Sequence, residues 1–378
     1  MVLLYNDSSA TPAHLLMAGA IVVVLYGLSS VTNSILHGLN YMTSPAKNAA
    51  AALGIHLVAF VLMMTVFKMN VYALVGGNIV FALAMAVKAY TWPGESVLML
   101  QPVYYPFREV IEDNGRKLIG SPLKLEDGHY TIDFEDMEKK IRENAVKLLL
   151  FCSPHNPVGR VWKREELEKV AALCLKYHVT LVSDEIHSDI VYKGHKHQMM
   201  ASISEEIADI TVTCTAPSKT FNVAGLQLSN IIISNPKLRE KFKHEVMQAG
   251  YSQPNLMGME ACQAAYENGE EWLEELLVYL QGNVDFVRDY LKQEIPKIRL
   301  IEPEGTYLLW LDCRELGLSV EELEHLVVDK ANLWLDPGFI FGAVGEGFER
   351  INIACPRQTL RQAMDQLRDA LNAEAFLN

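Results

Sequence analysis

Apolar and polar residues follow one another in two different ways along the chain. Before residue 88 there are three long apolar runs, at residues 15–31, 49–67 and 71–87. Each is close to the roughly 20 residues with which a helix crosses a bilayer. We therefore predict helices that span a membrane in this part. The alternative is a set of helices buried in a soluble core, which would have to be very large to cover all three.

From residue 88 onward, short apolar runs alternate with segments of helical periodicity. Continuous apolar runs bounded by turn residues are typical of buried parallel strands. They predict strands at residues 96–100, 146–151, 179–182, 210–214 and 230–233. Helical spacing predicts helices at residues 105–113 and 163–177, and Asp133 with Asp136 predicts the start of another. Strands that alternate with helices indicate an α/β layer sandwich.

The pattern changes near residue 270 and predicts a smaller α+β domain at the C-terminus. A long helix is expected at residues 271–291, strands near 306–311 and 350–354, and a last helix at 360–371. We therefore divide the chain into three parts: an apolar, membrane-type helical segment at residues 1–85, a large domain at 86–268 and a small C-terminal domain at 269–378.

The distribution of charge follows the same division. Residues 1–87 contain only three charged side chains, Asp7, Lys47 and Lys68, whereas the whole chain of 378 residues carries a net charge of −13. Lys47 and Lys68 lie at opposite ends of the second apolar run, so the positive-inside rule gives no orientation. The acidic balance argues against a nucleic-acid partner. The six cysteines form no CxxC pair, so we expect reduced thiols, no metal site and a cytoplasmic location for the second part.

Polar residues interrupt the chain at the ends of several predicted strands. They fall in the segments 153–160, 183–187, 216–222 and 348–352. In an α/β sheet this edge is where ligands bind. Taken singly, each has an ordinary explanation: Asn156 before a proline is typical of a turn, and Asp184 of a helix cap. Lys219 and Arg350 would be surface charges.

Taken together, these segments closely resemble the fold-type I pyridoxal-phosphate enzymes of the class I and II aminotransferase superfamily. The resemblance covers about residues 82–374 and is greatest to the cystathionine β-lyase and cystalysin type of C–S lyase. It implies an α/β, PLP-dependent transferase-like three-layer sandwich with a smaller C-terminal α+β domain. It also implies pyridoxal 5'-phosphate as cofactor, a homodimer, and cystathionine or another L-cysteine conjugate as substrate.

The resemblance implies a role for each polar residue, and the chemistry of the cofactor agrees. Lys219 is the amine that attaches to the carbonyl group. Asp184 keeps the pyridine nitrogen protonated, which makes the ring an electron sink. Asn156 donates a hydrogen bond to the phenolic oxygen. Tyr104 stacks on the ring, and Ser218 is expected to contact the phosphate.

Two further residues complete the predicted site, with Arg350 on the substrate side and His187 among the cofactor-binding residues. Arg350 matches the arginine that binds the α-carboxylate, for which a bidentate guanidinium is better suited than an ammonium. His187 stands three residues after Asp184, where aspartate-aminotransferase-like members usually have a tyrosine. Histidine there resembles the C–S lyase branch and implies α,β-elimination to a thiol, pyruvate and ammonia, with Lys219 as the base. The alternative for His187 is a histidine that only packs at a strand end. The alternatives for the whole chain are an aminotransferase and an inactive membrane-attached relic.

The first part of the chain resembles something else. Residues 4–7 and 27–40 resemble part of a polysaccharide-biosynthesis or lipid-flippase membrane protein. The lyase family has its own soluble N-terminal segment with a glycine-rich phosphate loop, which residues 77–80 imitate only loosely, with Asn78 where glycine is expected. We therefore expect a chimera or deletion product that binds its cofactor weakly. A genuine lyase associated with a membrane through residues 1–87 is the alternative.

Overall fold

The structure is a computed structural model that describes residues 77–251 and 253–374, all within a unit that runs from Leu74 to Asn378. The first two apolar runs and the start of the third lie outside the described residues, as do the segments that resemble a flippase. The strands are β1 (Ser96–Gln101), β2 (Lys117–Pro122), β3 (Lys124–Glu126), β4 (His129–Thr131), β5 (Leu148–Cys152), β6 (Thr180–Asp184), β7 (Thr211–Thr215), β8 (Asn230–Ile233), β9 (Arg299–Ile301), β10 (Leu308–Asp312), β11 (Asp336–Pro337) and β12 (Phe348–Asn352).

Helices connect most of these strands. The α-helices are α1 (Gly77–Tyr90), α2 (Pro106–Glu112), α3 (Phe134–Glu143), α4 (Arg164–Tyr177), α5 (Glu205–Ile210), α6 (Pro217–Thr220), α7 (Pro236–Gln248), α8 (Leu256–Asn268), α9 (Glu270–Glu294), α10 (Val320–Glu324) and α11 (Arg357–Ala373). A π-helical segment, His325–Lys330, follows α10. The backbone amide of Asp136 donates to the Asp133 carboxylate at 3.1 Å, which confirms the predicted cap of α3.

A six-stranded sheet lies between two layers of helices. Its strand order is β2-β1-β5-β6-β7-β8, and every neighbouring pair is parallel except the antiparallel pair β7 and β8. All five residues of β5 are buried, because helices cover both faces of a parallel sheet. Leu149 and Phe151 pack with α3 and α4, whereas Leu148 and Leu150 pack with α1 and α2. The predicted three-layer arrangement is therefore confirmed.

Helix α1 corrects the membrane prediction for the third apolar run. Leu83 and Val87 are fully buried and pack in one cluster with Val97 and Met99 of β1. In its described part the run is therefore a core helix, and its low polarity reflects coverage by protein rather than by lipid. Among the residues that the structure describes, no helix is long and apolar enough to cross a membrane.

Helix α7 covers α1 from a distant part of the chain. The Tyr90 hydroxyl donates to the Leu238 carbonyl at 3.0 Å, and Lys88 pairs with Glu245 at 3.7 Å. These contacts join residues about 150 positions apart, which no local apolar pattern encodes. The alternative of a buried soluble helix is therefore correct for residues 79–87.

A second sheet accounts for the predicted C-terminal α+β part. It is antiparallel, with the order β11-β12-β10-β9, and α9 and α11 share one apolar cluster with its strands. The domain boundary at residue 268 stays a prediction, although α8 ends there. The six cysteines are free, and four of them are buried.

Candidate active site

Three parallel strands bring the predicted polar residues to one edge of the large sheet. Asp184 is the last residue of β6, Asn156 follows β5, and Lys219 lies in α6, just after β7. The β5–β6 register places Cys152 opposite Asp184, so the carboxyl ends of these strands are level. All three polar side chains line a single cavity of about 180 Å³.

The second sheet closes this cavity. Strand β12 contributes Arg350 and Asn352, the first residue of β10 contributes Leu308, and Tyr307 lies just before that strand. The structure thus brings together six of the seven predicted site residues, namely Tyr104, Asn156, Asp184, His187, Lys219 and Arg350. Ser218 is the exception: it lies next to Lys219 in α6 but not on the cavity wall.

A buried network fixes the loop that carries Asn156. The Arg160 guanidinium donates through Nε to Glu304 at 2.9 Å and through Nη2 to Glu166 at 2.9 Å. The amide of Glu304 donates to the Gly159 carbonyl at 2.8 Å. Because Glu304 lies just before Tyr307, this network joins the loop after β5 to the loop before β10. The two sides of the cavity are therefore held in one arrangement.

Asp184 is a buried carboxyl group. Its side chain is 2% exposed and accepts one hydrogen bond, from the Ile186 amide at 3.3 Å. Burial raises the pKa of Asp184 to about 7, against the lowering effects of that hydrogen bond and of Lys219. No salt bridge to Asp184 exists within residues 77–251 and 253–374. A protonated pyridine nitrogen would supply the missing positive charge, so this residue fits the expected cofactor.

Lys219 is the amine of the cavity. Burial lowers the pKa of Lys219, and Asp184 opposes part of that effect. In the described part of the chain, its Nζ makes no hydrogen bond or salt bridge. A lysine with a lowered pKa is more often neutral near pH 7, as both a nucleophile and a general base must be.

Arg350 is held on three sides. Its Nε and Nη2 donate to Asp336 Oδ2 at 3.2 and 2.5 Å, and its Nη1 donates to Asn156 Oδ1 at 2.9 Å. Its guanidinium carbon lies 4.8 Å from the centre of the Phe341 ring. Because the Asn156 oxygen faces Arg350, the amide Nδ2 is the group left to donate within the cavity. This orientation suits a hydrogen bond to a phenolic oxygen.

Two aromatic side chains define the remaining walls. The backbone N–H of Tyr104 donates to the backbone carbonyl of Asn156 at 3.1 Å, which holds these two residues next to each other. Burial raises the pKa of Tyr104, so its phenol stays protonated. His187 is 3% exposed, and burial, with the charges of Lys219 and Arg350, lowers its pKa to about 3. Its neutral ring packs edge-on against Tyr307, with centroids 5.7 Å apart.

Sequence reasoning missed half of the residues that line the cavity. These are Tyr105, Cys152, Ile186, Tyr307, Leu308 and Asn352. A signal existed for Asn352, which stands two residues after Arg350 on β12 and so points to the same face. None existed for Tyr307, whose position depends on Thr306 in a left-handed backbone conformation with φ 68°.

Comparisons with known proteins show the family to which this chain belongs. The family model described as aminotransferase class I and II matches residues 64–367. Cystathionine beta-lyase PatB of Bacillus subtilis is 46% identical over 295 residues, which are 78% of this chain and 76% of PatB. The structure of cystalysin from Treponema denticola, which contains pyridoxal 5'-phosphate, is 42% identical with a TM-score of 0.77 over 79% of this chain and 75% of cystalysin. The PLP-bound C–S lyase of Staphylococcus hominis is 34% identical, with a TM-score of 0.73 over 78% of this chain and 75% of that one.

These matches also bear on the first part of the chain. The family model begins at residue 64, inside the segment that the sequence assigns to a membrane protein. The predicted flippase-like origin and the predicted chimera gain no support from the comparisons. The match therefore includes residues 64–85 of the apolar segment. Helix α1, at the end of that segment, packs in one apolar cluster with the large sheet.

Proposed function

This chain belongs to the aminotransferase class I and II family, and from that premise we propose that it is a pyridoxal-phosphate-dependent carbon–sulfur lyase. Its substrates are cystathionine or other L-cysteine conjugates, and its products are a thiol, pyruvate and ammonia. The observation that carries the proposal is the cavity that combines Lys219, Asp184, Asn156 and Arg350. The 46% identity to a cystathionine beta-lyase supports the choice of reaction.

Four residues are proposed to hold the cofactor. Lys219 binds its carbonyl carbon, Asp184 keeps a proton on the ring nitrogen, Asn156 Nδ2 donates to the phenolic oxygen, and Tyr104 lies against the ring. When bound, pyridoxal phosphate supplies an electron sink for the charge that develops at the substrate Cα. Ser218 remains our proposed phosphate contact. We also propose that the cofactor binds weakly, because Asn78 stands where glycine is expected in the family's phosphate loop.

The other steps follow from the chain's own side chains. Arg350 binds the α-carboxylate and orients the Cα–H bond. The substrate amine would take the place of Lys219 on the cofactor's carbonyl carbon, and the Lys219 Nζ released in this way accepts the Cα proton. The carbon–sulfur bond then breaks with its electron pair on sulfur, and the thiolate takes up a proton. The remaining three-carbon enamine, 2-aminoacrylate, reacts with water to give pyruvate and ammonia. His187 stays neutral, so it adds no cation beside the leaving thiolate.

The test combines a cofactor titration with product analysis. Purified protein is titrated with pyridoxal phosphate, the absorbance of the bound cofactor is recorded, and pyruvate released from L-cystathionine is measured. We expect a band that Lys219→Ala abolishes and that Lys196→Ala, at an exposed lysine, leaves unchanged. A half-saturation above that of ordinary lyases would support weak binding, and a normal value with ordinary turnover would refute it.

Two outcomes would overturn the assignment itself. Amino transfer to a keto acid with little pyruvate would identify an aminotransferase, which is the activity for which the family is named. A protein with no cofactor band and no turnover would be a relic. A band together with pyruvate formation supports the lyase.

A further inference from the structure

The Arg350 guanidinium has a definite number of donors left for a ligand. Arginine carries five N–H groups. Among the described residues, Nε and one N–H of Nη2 donate to Asp336, and one N–H of Nη1 donates to Asn156. One N–H therefore remains on each Nη. A donor on each terminal nitrogen is what a guanidinium needs to bind a carboxylate in a bidentate manner.

Asp336 is placed by the fold to hold the opposite edge of this guanidinium. It lies on β11, directly paired with Arg350 on β12. Asp336 Oδ2 accepts from both Nε and Nη2, so a single oxygen holds the edge formed by Nε and Nη2 rather than the terminal edge formed by Nη1 and Nη2. The Arg350 side chain is 11% exposed and that of Asp336 is 41% exposed.

We propose that Asp336 is a positioning residue for carboxylate recognition, acting through Arg350. It fixes the guanidinium in its plane so that the terminal fork of Nη1 and Nη2 is presented to the α-carboxylate of the amino-acid ligand. Without Asp336 the long arginine side chain would have to be ordered when the ligand binds, and affinity falls by that entropic cost. The proposal rests on the proposed function only in taking Arg350 as the carboxylate ligand.

Three variants separate this role from a general effect on folding. Asp336→Ala removes the acceptor, and Asp336→Asn keeps an acceptor oxygen but removes the charge. Asp312→Ala is a matched control, because Asp312 accepts from Nε and Nη2 of Arg314 at 2.8 and 2.7 Å and does not line the cavity. An aspartate–arginine pair through Nε and Nη2 is thereby lost at a place without a proposed ligand.

Two probes report on the carboxylate alone. L-Alanine and ethylamine present the same type of amine to the cofactor, but only L-alanine has an α-carboxylate, and neither carries a thiol that can leave. Their dissociation constants are measured from the change in cofactor absorbance of each holoenzyme. We expect Asp336→Ala to weaken L-alanine binding about tenfold and to leave ethylamine within twofold. Asp336→Asn should have an effect of less than threefold, and Asp312→Ala none.

Steady-state kinetics and a double variant complete the test. With L-cystathionine, Asp336→Ala should raise KM about tenfold and change kcat by less than threefold. In an Arg350→Ala background it should have no further effect on L-alanine binding. Equal weakening of both probes, no weakening of L-alanine, or an undiminished effect without Arg350 would each overturn the proposal.

The two proposals fail in different ways. If the wild type forms pyruvate but the variants bind L-alanine normally, only the role of Asp336 is wrong. If the wild type transfers amino groups instead of eliminating thiol, the probe comparison still measures the carboxylate fork, and the role of Asp336 stands or falls on it. If neither probe perturbs the wild-type cofactor, Arg350 receives no carboxylate and both proposals are wrong.

Discussion

Replacing Asp184 by asparagine should make the cofactor-free protein more stable and the cofactor complex weaker. Burial raises the pKa of Asp184 from 3.8 to about 7. The folded protein therefore holds this proton more tightly than the unfolded chain. It follows that the stability of the cofactor-free protein falls as the pH rises from about 4 to 7 and then levels off. Above pH 7 the ionised carboxylate costs about 4 kcal/mol, from about three pKa units at about 1.4 kcal/mol each.

Asparagine removes this cost but introduces another. Its oxygen can still accept from the Ile186 amide, as the carboxylate does at 3.3 Å. Its amide N–H groups would be buried, and a buried donor that is left unpaired costs about 1–3 kcal/mol. The net gain at pH 8 is therefore about 1–3 kcal/mol, enough to raise Tm by several degrees in a protein of this size. Near pH 4.5 Asp184 is protonated in the folded state, so the cost of burying it is much smaller than at pH 8. The Tm values of the wild type and of Asp184→Asn should therefore converge at that pH.

The cofactor should reverse the sign. A protonated ring nitrogen beside Asp184 would pair with the carboxylate, and asparagine cannot replace that charge. We therefore expect Asp184→Asn to bind pyridoxal phosphate at least tenfold more weakly. The cofactor should raise the Tm of the wild type more than that of the variant.

The assay is thermal unfolding at pH 4.5 and pH 8, with and without pyridoxal phosphate. Asp113→Asn, at an exposed aspartate after α2, controls for the change of residue type. A cofactor-free Asp184→Asn protein that is less stable than the wild type at both pH values would refute the reasoning. It would mean that the carboxylate already has a compensating partner in the cofactor-free protein.

Two further substitutions test the C-terminal sheet. Burial, with the charges of Glu324 and Asp336, raises the pKa of Glu349 from 4.5 to about 8. Glu349→Gln should therefore raise Tm above pH 8 and have little effect near pH 5. A Tm gain of equal size at both pH values would show that ionisation of Glu349 is not the cause. A Cβ atom at Gly338 would lie 1.9 Å from the Gly345 carbonyl oxygen. Gly338→Ala should therefore displace β11 and lower Tm by several degrees. An unchanged Tm would show that the backbones at Gly338 and Gly345 can move apart without cost.

Strands that carry the site were predictable because burial on both faces leaves a local signature. The runs that predict β5, β6 and β7 consist mainly of apolar residues, broken only by Lys147 and by three threonines, and β8 has the predicted bounds, Asn230–Ile233. The polar residues at their ends could be recognised for the same reason: a charge or an amide directly after such a run stands out. Ser218 is the residue for which adjacency to Lys219 in sequence did not lead to a place on the cavity wall.

Other features depend on contacts that no local pattern contains. Strand β11 has only two residues, so neither alternation nor propensity predicts that Asp336 meets Arg350. Likewise, an apolar helix reads the same in sequence whether lipid or protein covers it. The difference between the two for α1 lies in β1 and α7, which follow it in the chain.

The same helix sets a condition on how the protein can be synthesised. Helix α1 has a single charged side chain, Lys88, in 14 residues. Leu238 of α7, whose carbonyl accepts from the hydroxyl of Tyr90 at the C-terminal end of α1, follows Tyr90 by 148 positions. At about 5–20 residues per second, roughly 7–30 s pass on the ribosome before α7 emerges to cover α1. During that interval an uncovered apolar segment is open to chaperones, to the machinery that recognises nascent membrane proteins, and to other nascent chains.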